Sequence, residues 1–349
     1  MGRRLLVSLA ALVAVVVMAL LTQTPAAGQT QASAAKASPA AKASTPPRTA
    51  DGKPDLQGIW TNNTLTPFER PKSLGAKEFY TDQELADLTK RIIEARPGER
   101  VEGAELGAAN PQEVRYDLEL YGFDRTKLRY TSKRTSLVVG PEGVVPPMLP
   151  QARQRNADRV AKNKGHEFDG PENRPLSERC IMMGQEAIPM VPGANEGNLL
   201  QIVQGPGYVT LLHEIDHSTR VIPTDGRPHV PQNIRLWQGD SVGHWEGNTL
   251  VVETIGFTPG GVPGGGVRTP ETTLVERFEV APDGKRLTIT YTWNDPKIYQ
   301  TPHVYRYYFE RAPTVSSGGA AVSYALEEWC DAGDPLEKQS IVPPKQIIK

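Results

Sequence analysis

The chain has 349 residues and carries 39 Lys and Arg against 40 Asp and Glu, a net charge of −1. Balanced charge argues against a nucleic-acid binder, which needs a basic patch to meet phosphates, and 2 Cys cannot build a disulfide-dense scaffold. Gly (32) and Pro (31) are abundant but follow no period, which excludes collagen and points to many turns or some disorder.

In chain order, Arg3 and Arg4 precede the apolar run Leu5–Leu21, and Pro25, Ala26, Ala27 and Gly28 follow it. Basic, then apolar, then small is the order of a secretory signal peptide. The run is also close to the lower limit for a membrane span. Small residues follow it directly, so the expectation is a cleaved signal over residues 1–28 and no stable span afterwards. That places the mature protein in the periplasm or outside the cell. Residues 29–50 are Ala, Ser, Pro, Thr and other small or polar types that cannot bury a core, and they read as a disordered leader. The folded part then begins at Asp51 and forms one elaborated domain, 51–349. In an oxidising compartment Cys180 and Cys330 are expected to form one disulfide, with two buried thiols as the alternative. The bridge would close a loop of about 150 residues, worth ~4–5 kcal/mol in the chain-entropy model.

The part from 51 to 198 reads as helical and irregular. Thr81-Asp82-Gln83-Glu84 has the form of a capping box, in which the Thr hydroxyl and the Glu carboxylate each satisfy a free backbone N–H. Leu85, Leu88 and Ile92 follow at helical spacing, and Pro97-Gly98 would end the helix. A second, polar helix is expected from about Pro150 to Asn163, lying on the surface. Ser136–Val139 reads as a short strand.

The part from 199 to 331 reads as antiparallel β. Strands are expected at Leu199–Gln204, Tyr208–Asp216, Thr219–Pro223, Thr249–Phe257, Thr273–Val280, Arg286–Trp293, His303–Glu310 and Ala321–Trp329. Leu287, Ile289, Tyr291 and Trp293 alternate with Thr288, Thr290 and Thr292, a clean period of two. Pro259–Gly266 reads as a linker loop. There is no strand–helix alternation, so a parallel doubly wound sheet is disfavoured. The expected fold is therefore mainly β, a barrel-like antiparallel sheet of calycin type, with a β-sandwich as runner-up.

His213-Glu214-Ile215-Asp216-His217 matches H-E-x-x-H, in which two His one helical turn apart bind zinc and the Glu activates water. The chemistry needs a helix, because four steps of strand separate the Cα atoms by roughly 13–14 Å. The flanking Gly205-Pro206-Gly207 turn and Thr219–Pro223 favour a hairpin instead, and Pro223 stands where a third His ligand would be. The expectation is no cofactor, with zinc on His213 and His217 and Glu214 as base the alternative. A broader cluster holds Arg220, Asp225, Arg227, His229, Arg235, Trp237, Asp240, His244, Trp245 and Glu246. Brought together at the end of a sheet, these would bind a small organic ligand. Arg220 or Arg227 would fork onto a carboxylate and Trp237 would stack, with Asp225, Asp240 and Glu246 as polar contacts. His229, with Glu214 and His217, is a candidate for moving a proton. Singly, each has an ordinary role as turn carboxylate, solvated base or core aromatic. No G-x-S-x-G elbow, P-loop or dinucleotide fingerprint is present. Catalysis and oligomeric state stay open, and a non-enzymatic envelope interaction protein is a further alternative.

The same segments carry a resemblance. Asp51-Gly52-Lys53-Pro54-Asp55-Leu56-Gln57-Gly58-Ile59-Trp60 opens it, and Pro146-Pro147-Met148-Leu149 and Glu178-Arg179-Cys180-Ile181 follow. It continues through Ile222-Pro223-Thr224-Asp225-Gly226-Arg227-Pro228-His229 and Gly239-Asp240-Ser241 to Trp245-Glu246-Gly247-Asn248-Thr249-Leu250-Val251-Val252-Glu253-Thr254. Together these look like a widespread family of exported bacterial proteins of unknown function, over Asp51 to Asp331. The resemblance implies one continuous domain and export. It brings no reaction and no catalytic residues, and H-E-x-x-H is not its hallmark. Gly58-Ile59-Trp60 is also similar to the G-x-W triplet of lipocalins.

Overall fold

A computed structural model describes residues 45–62, 64–94, 101–103, 130–174, 176, 181, 199–213, 219–259 and 268–312. The chain divides into two units, Met1–Lys42 and Ala43–Lys349, and every described residue belongs to the second. The expected signal, most of the leader, Pro97-Gly98, Cys180, Cys330, Glu214, His217, most of the Pro259–Gly266 loop and the Ala321–Trp329 strand lie outside the described residues.

Strands β1 (Gly58–Thr61), β2 (Leu199–Gly205), β3 (Tyr208–His213), β4 (Thr219–Pro223), β5 (Asp240–Glu246), β6 (Thr249–Ile255), β7 (Thr273–Val280), β8 (Arg286–Asn294) and β9 (His303–Arg311) form one sheet. Their order is β4-β3-β2-β1-β9-β8-β7-β6-β5, and every ladder is antiparallel. The sheet curls into a nearly closed barrel, so the sandwich alternative is set aside. Nine strands that alternate in direction leave the first and last pointing the same way. β4 and β5 therefore meet as parallel neighbours, side by side but without a ladder. Gly243 permits the close approach: a Cβ there would lie 3.1 Å from Ile222 Cγ2 and 3.2 Å from Thr224 Cγ2.

Burial alternates along strands such as β3, β7, β8 and β9, because successive side chains face opposite sides of a sheet. In β8, Leu287, Ile289, Tyr291 and Trp293 turn inward and the threonines between them outward. β5 escapes the period-two reading because its inward positions include the small Ser241 and Gly243 rather than large apolar residues. β1 escapes it by being four residues long.

At the end where β9 finishes, the barrel is plugged. The Trp60 indole is fully buried and donates to the Leu56 carbonyl at 2.8 Å. The Arg311 guanidinium lies 4.3 Å from the Trp60 ring centre, a cation–π contact, and donates to the Gly284 carbonyl at 2.8 Å and to that of Gln57. Gly58 makes room: its φ is +119° and an added Cβ would lie 2.6 Å from Arg311 Nη1. Leu56, Leu250, Phe278, Leu287 and Phe309 fill the space around this plug.

The first part of the chain adds two helices and irregular segments, of which Leu137 and Val138 join the barrel core and Phe68 packs 5.6 Å from the Tyr305 ring. Helix α1 (Asp82–Glu94) starts with the expected box: Thr81 N–H donates to Glu84 Oε2 at 2.8 Å, and Glu84 N–H to Thr81 Oγ1 at 3.3 Å. Leu88 and Ile92 are its buried face. Helix α2 (Pro150–Asn163) is polar, as its sequence indicates, and buries only Ala152 and Asn163. The expected strand at Ser136–Val139 is a single bridge, Val138 opposite Tyr305. It sits where β1 is too short to reach, since β1 pairs only with Glu310 and Arg311 of β9. Val139 N–H donates to the Val304 carbonyl at 2.7 Å, and Arg306 N–H to that of Leu137 at 2.9 Å.

Candidate functional site

At the end where β9 begins, the inward positions change character. Register places Glu276 on β7 opposite Tyr291 on β8, and Tyr291 opposite Tyr305 on β9. Across the β4–β5 seam, Arg220 points in from β4, Ser241 from β5, Thr254 from β6 and His213 from β3. All seven are buried. They form a polar belt inside the barrel.

Arg220 is its hub. Nη1 donates to Glu276 Oε1 at 3.0 Å and Nη2 to Oε2 at 2.6 Å, a two-point fork. Nη2 also reaches Ser241 Oγ at 3.0 Å and Thr254 Oγ1 at 3.3 Å, and those two hydroxyls lie 2.9 Å apart. One side chain on β4 thus ties itself to β5, β6 and β7, closing by hydrogen bonds the seam that the backbone leaves unpaired. Burial works against the Arg220 charge, and the Glu276 carboxylate more than restores it. Such a pair is weak evidence for stability, yet removing one partner strands a buried charge.

Aromatic rings line the opposite wall. Tyr291 and Tyr305 stack with centres 4.9 Å apart at an interplanar angle of 10°, and Tyr307 meets both edge-on. Burial raises the phenol pKa of Tyr291 and Tyr305, and the nearby Glu276 carboxylate adds to this, so both stay protonated. Burial, with help from the Arg220 charge, lowers the His213 imidazole to about 3. His303, inward on β9 opposite Trp293, is lowered to about 4 by burial. Both imidazoles are neutral at pH 7.

Five buried polar atoms on these inward positions have no hydrogen-bond partner among the described residues: Arg220 Nε, His213 Nδ1, Tyr305 Oη, Trp293 Nε1 and His303 Nδ1. Buried polar groups in folded proteins are nearly always paired, and each one left unpaired costs about 1–3 kcal/mol. All five lie in one half of one barrel; Thr66 Oγ1, Tyr80 Oη, Arg134 Nε and His229 Nε2 elsewhere are likewise without a partner among the described residues.

The ten-residue cluster read from the sequence does not converge. Of the ten, only Arg220 joins the polar belt. Asp225 and Arg227 pair with each other in an exposed turn at 2.6 Å, which lowers the Asp225 carboxyl to about 2. His244 and Glu246 lie near the end of β5, where Glu246 meets Arg277 at 2.9 Å and His244 at 3.1 Å. Arg277 first, then His244, lowers the Glu246 carboxyl. Trp245 packs against the core, and Trp237 is 39% exposed beside the exposed Ile234 and Leu236. Structure does bring His229 to Asp240: Nδ1 lies 2.7 Å from Oδ2, which also accepts the Val230 N–H at 3.0 Å. Asp240 borders a small cleft of about 160 Å³ at the barrel rim, shared with Arg235, Ile234, Ile255 and Thr273.

The first histidine of H-E-x-x-H ends strand β3 and points into the barrel, while Glu214 and His217 lie outside the described residues. Among the described residues no group of three or more His, Cys, Asp or Glu is placed to hold a metal ion. Sequence reading missed Glu276, Tyr291, Tyr305 and Thr254. Their strands were expected, and one signal was available: Glu276 occupies an inward position of an otherwise apolar alternation in Leu274-Val275-Glu276-Arg277-Phe278. A charge in that register needs a partner inside. No helix among the described residues is long and apolar enough to cross a membrane. The chain matches no family model and no curated protein.

Proposed function

We propose that this is an exported protein that binds a small organic molecule inside the barrel, between the Arg220–His213 wall and the Tyr305–Trp293–His303 wall. The observation that carries the reading is the set of five unpartnered polar atoms on inward positions of the same half. A ligand oxygen or nitrogen supplied there would pair with those atoms. The barrel class is consistent with this use, since barrels of about this strand number accommodate one small ligand. The basic, apolar, then small order of residues 1–28 supports export.

A thermal-shift screen against a library of small metabolites tests the reading, with Tyr305→Phe as the control. Compounds that raise the midpoint of the wild-type protein should lose at least half of that shift in the variant. No compound raising the midpoint, or hits indifferent to Tyr305→Phe, would overturn it.

A further inference from the structure

A cavity of about 260 Å³ opens between helix α1 and the segments that carry Tyr80 and Gly103, and no barrel strand contributes to it. Its lining includes Tyr80, Asp87, Leu88, Arg91, Glu102 and Gly103. Tyr80 is only 5% exposed, yet its hydroxyl has no hydrogen-bond partner among the described residues. Gly103 leaves room beside that hydroxyl: its φ is +88°, and an added Cβ would lie 2.9 Å from Tyr80 Oη and 3.5 Å from Leu88 Cδ2. The Tyr130 ring meets Tyr80 edge-on at 5.9 Å, and the Tyr130 hydroxyl donates to the Gly103 carbonyl at 2.6 Å. Both residues are thereby held in place.

The charges around the cavity are of both signs. Glu84, also on its wall, is already answered by Lys77 and Thr81. Asp87 Oδ1 accepts from the neutral Gln83 amide at 3.0 Å and meets no cation among the described residues. Arg91 and Glu102 have no hydrogen-bond or ion-pair partner among them. Asp87 and Arg91 stand four residues apart on α1, a spacing at which opposite charges ordinarily pair, and they stay apart. Burial raises the Tyr80 phenol and Glu84 raises it further, while Arg91 and Glu102 pull in opposite directions. Charges of both signs therefore act on one hydroxyl.

An anion in this cavity would meet Arg91 but also two open carboxylates. A cation would meet the carboxylates but also the guanidinium. A dipolar ion satisfies both, its carboxylate forking onto Arg91 and its ammonium donating to Asp87 and Glu102. Leu74 and Leu88 give a side chain an apolar wall, and Tyr80 Oη, which can donate or accept, suits either polar end. The volume lies below the ~300–1,000 Å³ of clefts for drug-sized ligands, which fits a molecule of few heavy atoms.

We propose that this cavity is a second binding site, separate from the barrel interior, and that it takes a free α-amino acid with an apolar side chain.

The test is isothermal titration at pH 7 of the purified mature protein with L-leucine and two analogues. 3-Methylbutylamine lacks the carboxylate of leucine, and 4-methylpentanoate lacks its ammonium. Leucine should bind about tenfold or more tightly than either, because a hydrogen bond to a charged group is worth at least that factor. Arg91→Gln, at an exposed position, should erase the preference over the amine, and Tyr80→Phe should weaken leucine at least severalfold. Tyr305→Phe should bind leucine as the wild type does, which separates this site from the barrel interior. Leucine that binds no better than either analogue, or does not bind, overturns the proposal. Tight leucine binding that ignores Arg91→Gln and Tyr80→Phe, or that is lost in Tyr305→Phe, overturns the site.

Discussion

Around Trp60 and Phe309 the barrel is filled by apolar side chains and capped by the Arg311 guanidinium, whose nitrogens find backbone carbonyls. A few residues along the same strands, the wall carries Arg220, Glu276, Tyr291 and Tyr305 with several polar atoms unanswered. The first half satisfies its polar groups almost as soon as it buries them. The second buries more polar atoms than it can pair. The contrast separates a region where close packing and pairing agree from one where several buried polar atoms lack a partner among the described residues. Unpaired buried groups of this kind are candidates for function.

The largest expected effects sharpen that contrast. Trp60→Ala removes a fully buried indole, its hydrogen bond and its stacked arginine. The loss should be about 3–5 kcal/mol in urea unfolding. Glu276→Gln should cost a similar ~3–5 kcal/mol, because it strands a charged Arg220. The double variant Arg220→Met with Glu276→Leu should recover most of that loss. A double variant no more stable than Glu276→Gln would mean that the seam between β4 and β5 depends on these hydrogen bonds themselves, rather than on charge balance.

The next effect depends on pH. His213 is held to about 3 and His303 to about 4, while an unfolded histidine titrates near its ordinary value of 6.5. Above pH 6.5 both states are neutral at these sites and pH does not matter. As pH falls below 6.5 the unfolded chain takes up protons that the folded barrel refuses, so stability is lost. The slope should be roughly 1.4 kcal/mol per pH unit for each histidine. For His303 the loss should be complete near pH 4, and for His213 near pH 3. Urea midpoints measured at pH 7, 6, 5 and 4.5 should show it. His213→Asn and His303→Asn should each flatten the curve, and a slope unchanged by both would remove the buried neutral histidines as its source.

A smaller effect goes the other way. Tyr305→Phe removes a hydroxyl that is buried and unpaired, so the ligand-free protein should gain about 1 kcal/mol while binding weakens. A destabilised Tyr305→Phe would show that the hydroxyl has a partner in solution, such as an ordered water. Smallest of all, Arg227→Ala breaks a pair that is exposed on both sides, and the thermal midpoint should stay within error. A clear drop there would overturn its separation from the belt.

Much of this architecture was legible from pattern. The capping box at Thr81 and Glu84, the polar α2 and strands such as β7 and β8 follow from local chemistry and the period of two. The functional half was less legible for identifiable reasons. Arg220 reads as one member of a cluster at the end of a sheet because chain proximity from Arg220 to Glu246 suggests spatial proximity. Strand β5 instead runs lengthwise and carries Glu246 away from Asp240. Tyr291 and Tyr305 looked like ordinary inward aromatics, because alternation reports which face a residue occupies and not what stands across the barrel.

Composition and periodicity alone determined that this chain forms an antiparallel, mostly two-faced β sheet, because side-chain direction in a strand is set by local geometry. They also marked its turns, through the residues that turns require. Only the tertiary structure decided that nine strands leave one parallel, unpaired seam, and that Arg220 crosses it to Glu276. It also decided that five inward polar atoms end without partners among the described residues. Those outcomes depend on strand number, curvature and register between residues far apart in sequence, which no local pattern encodes.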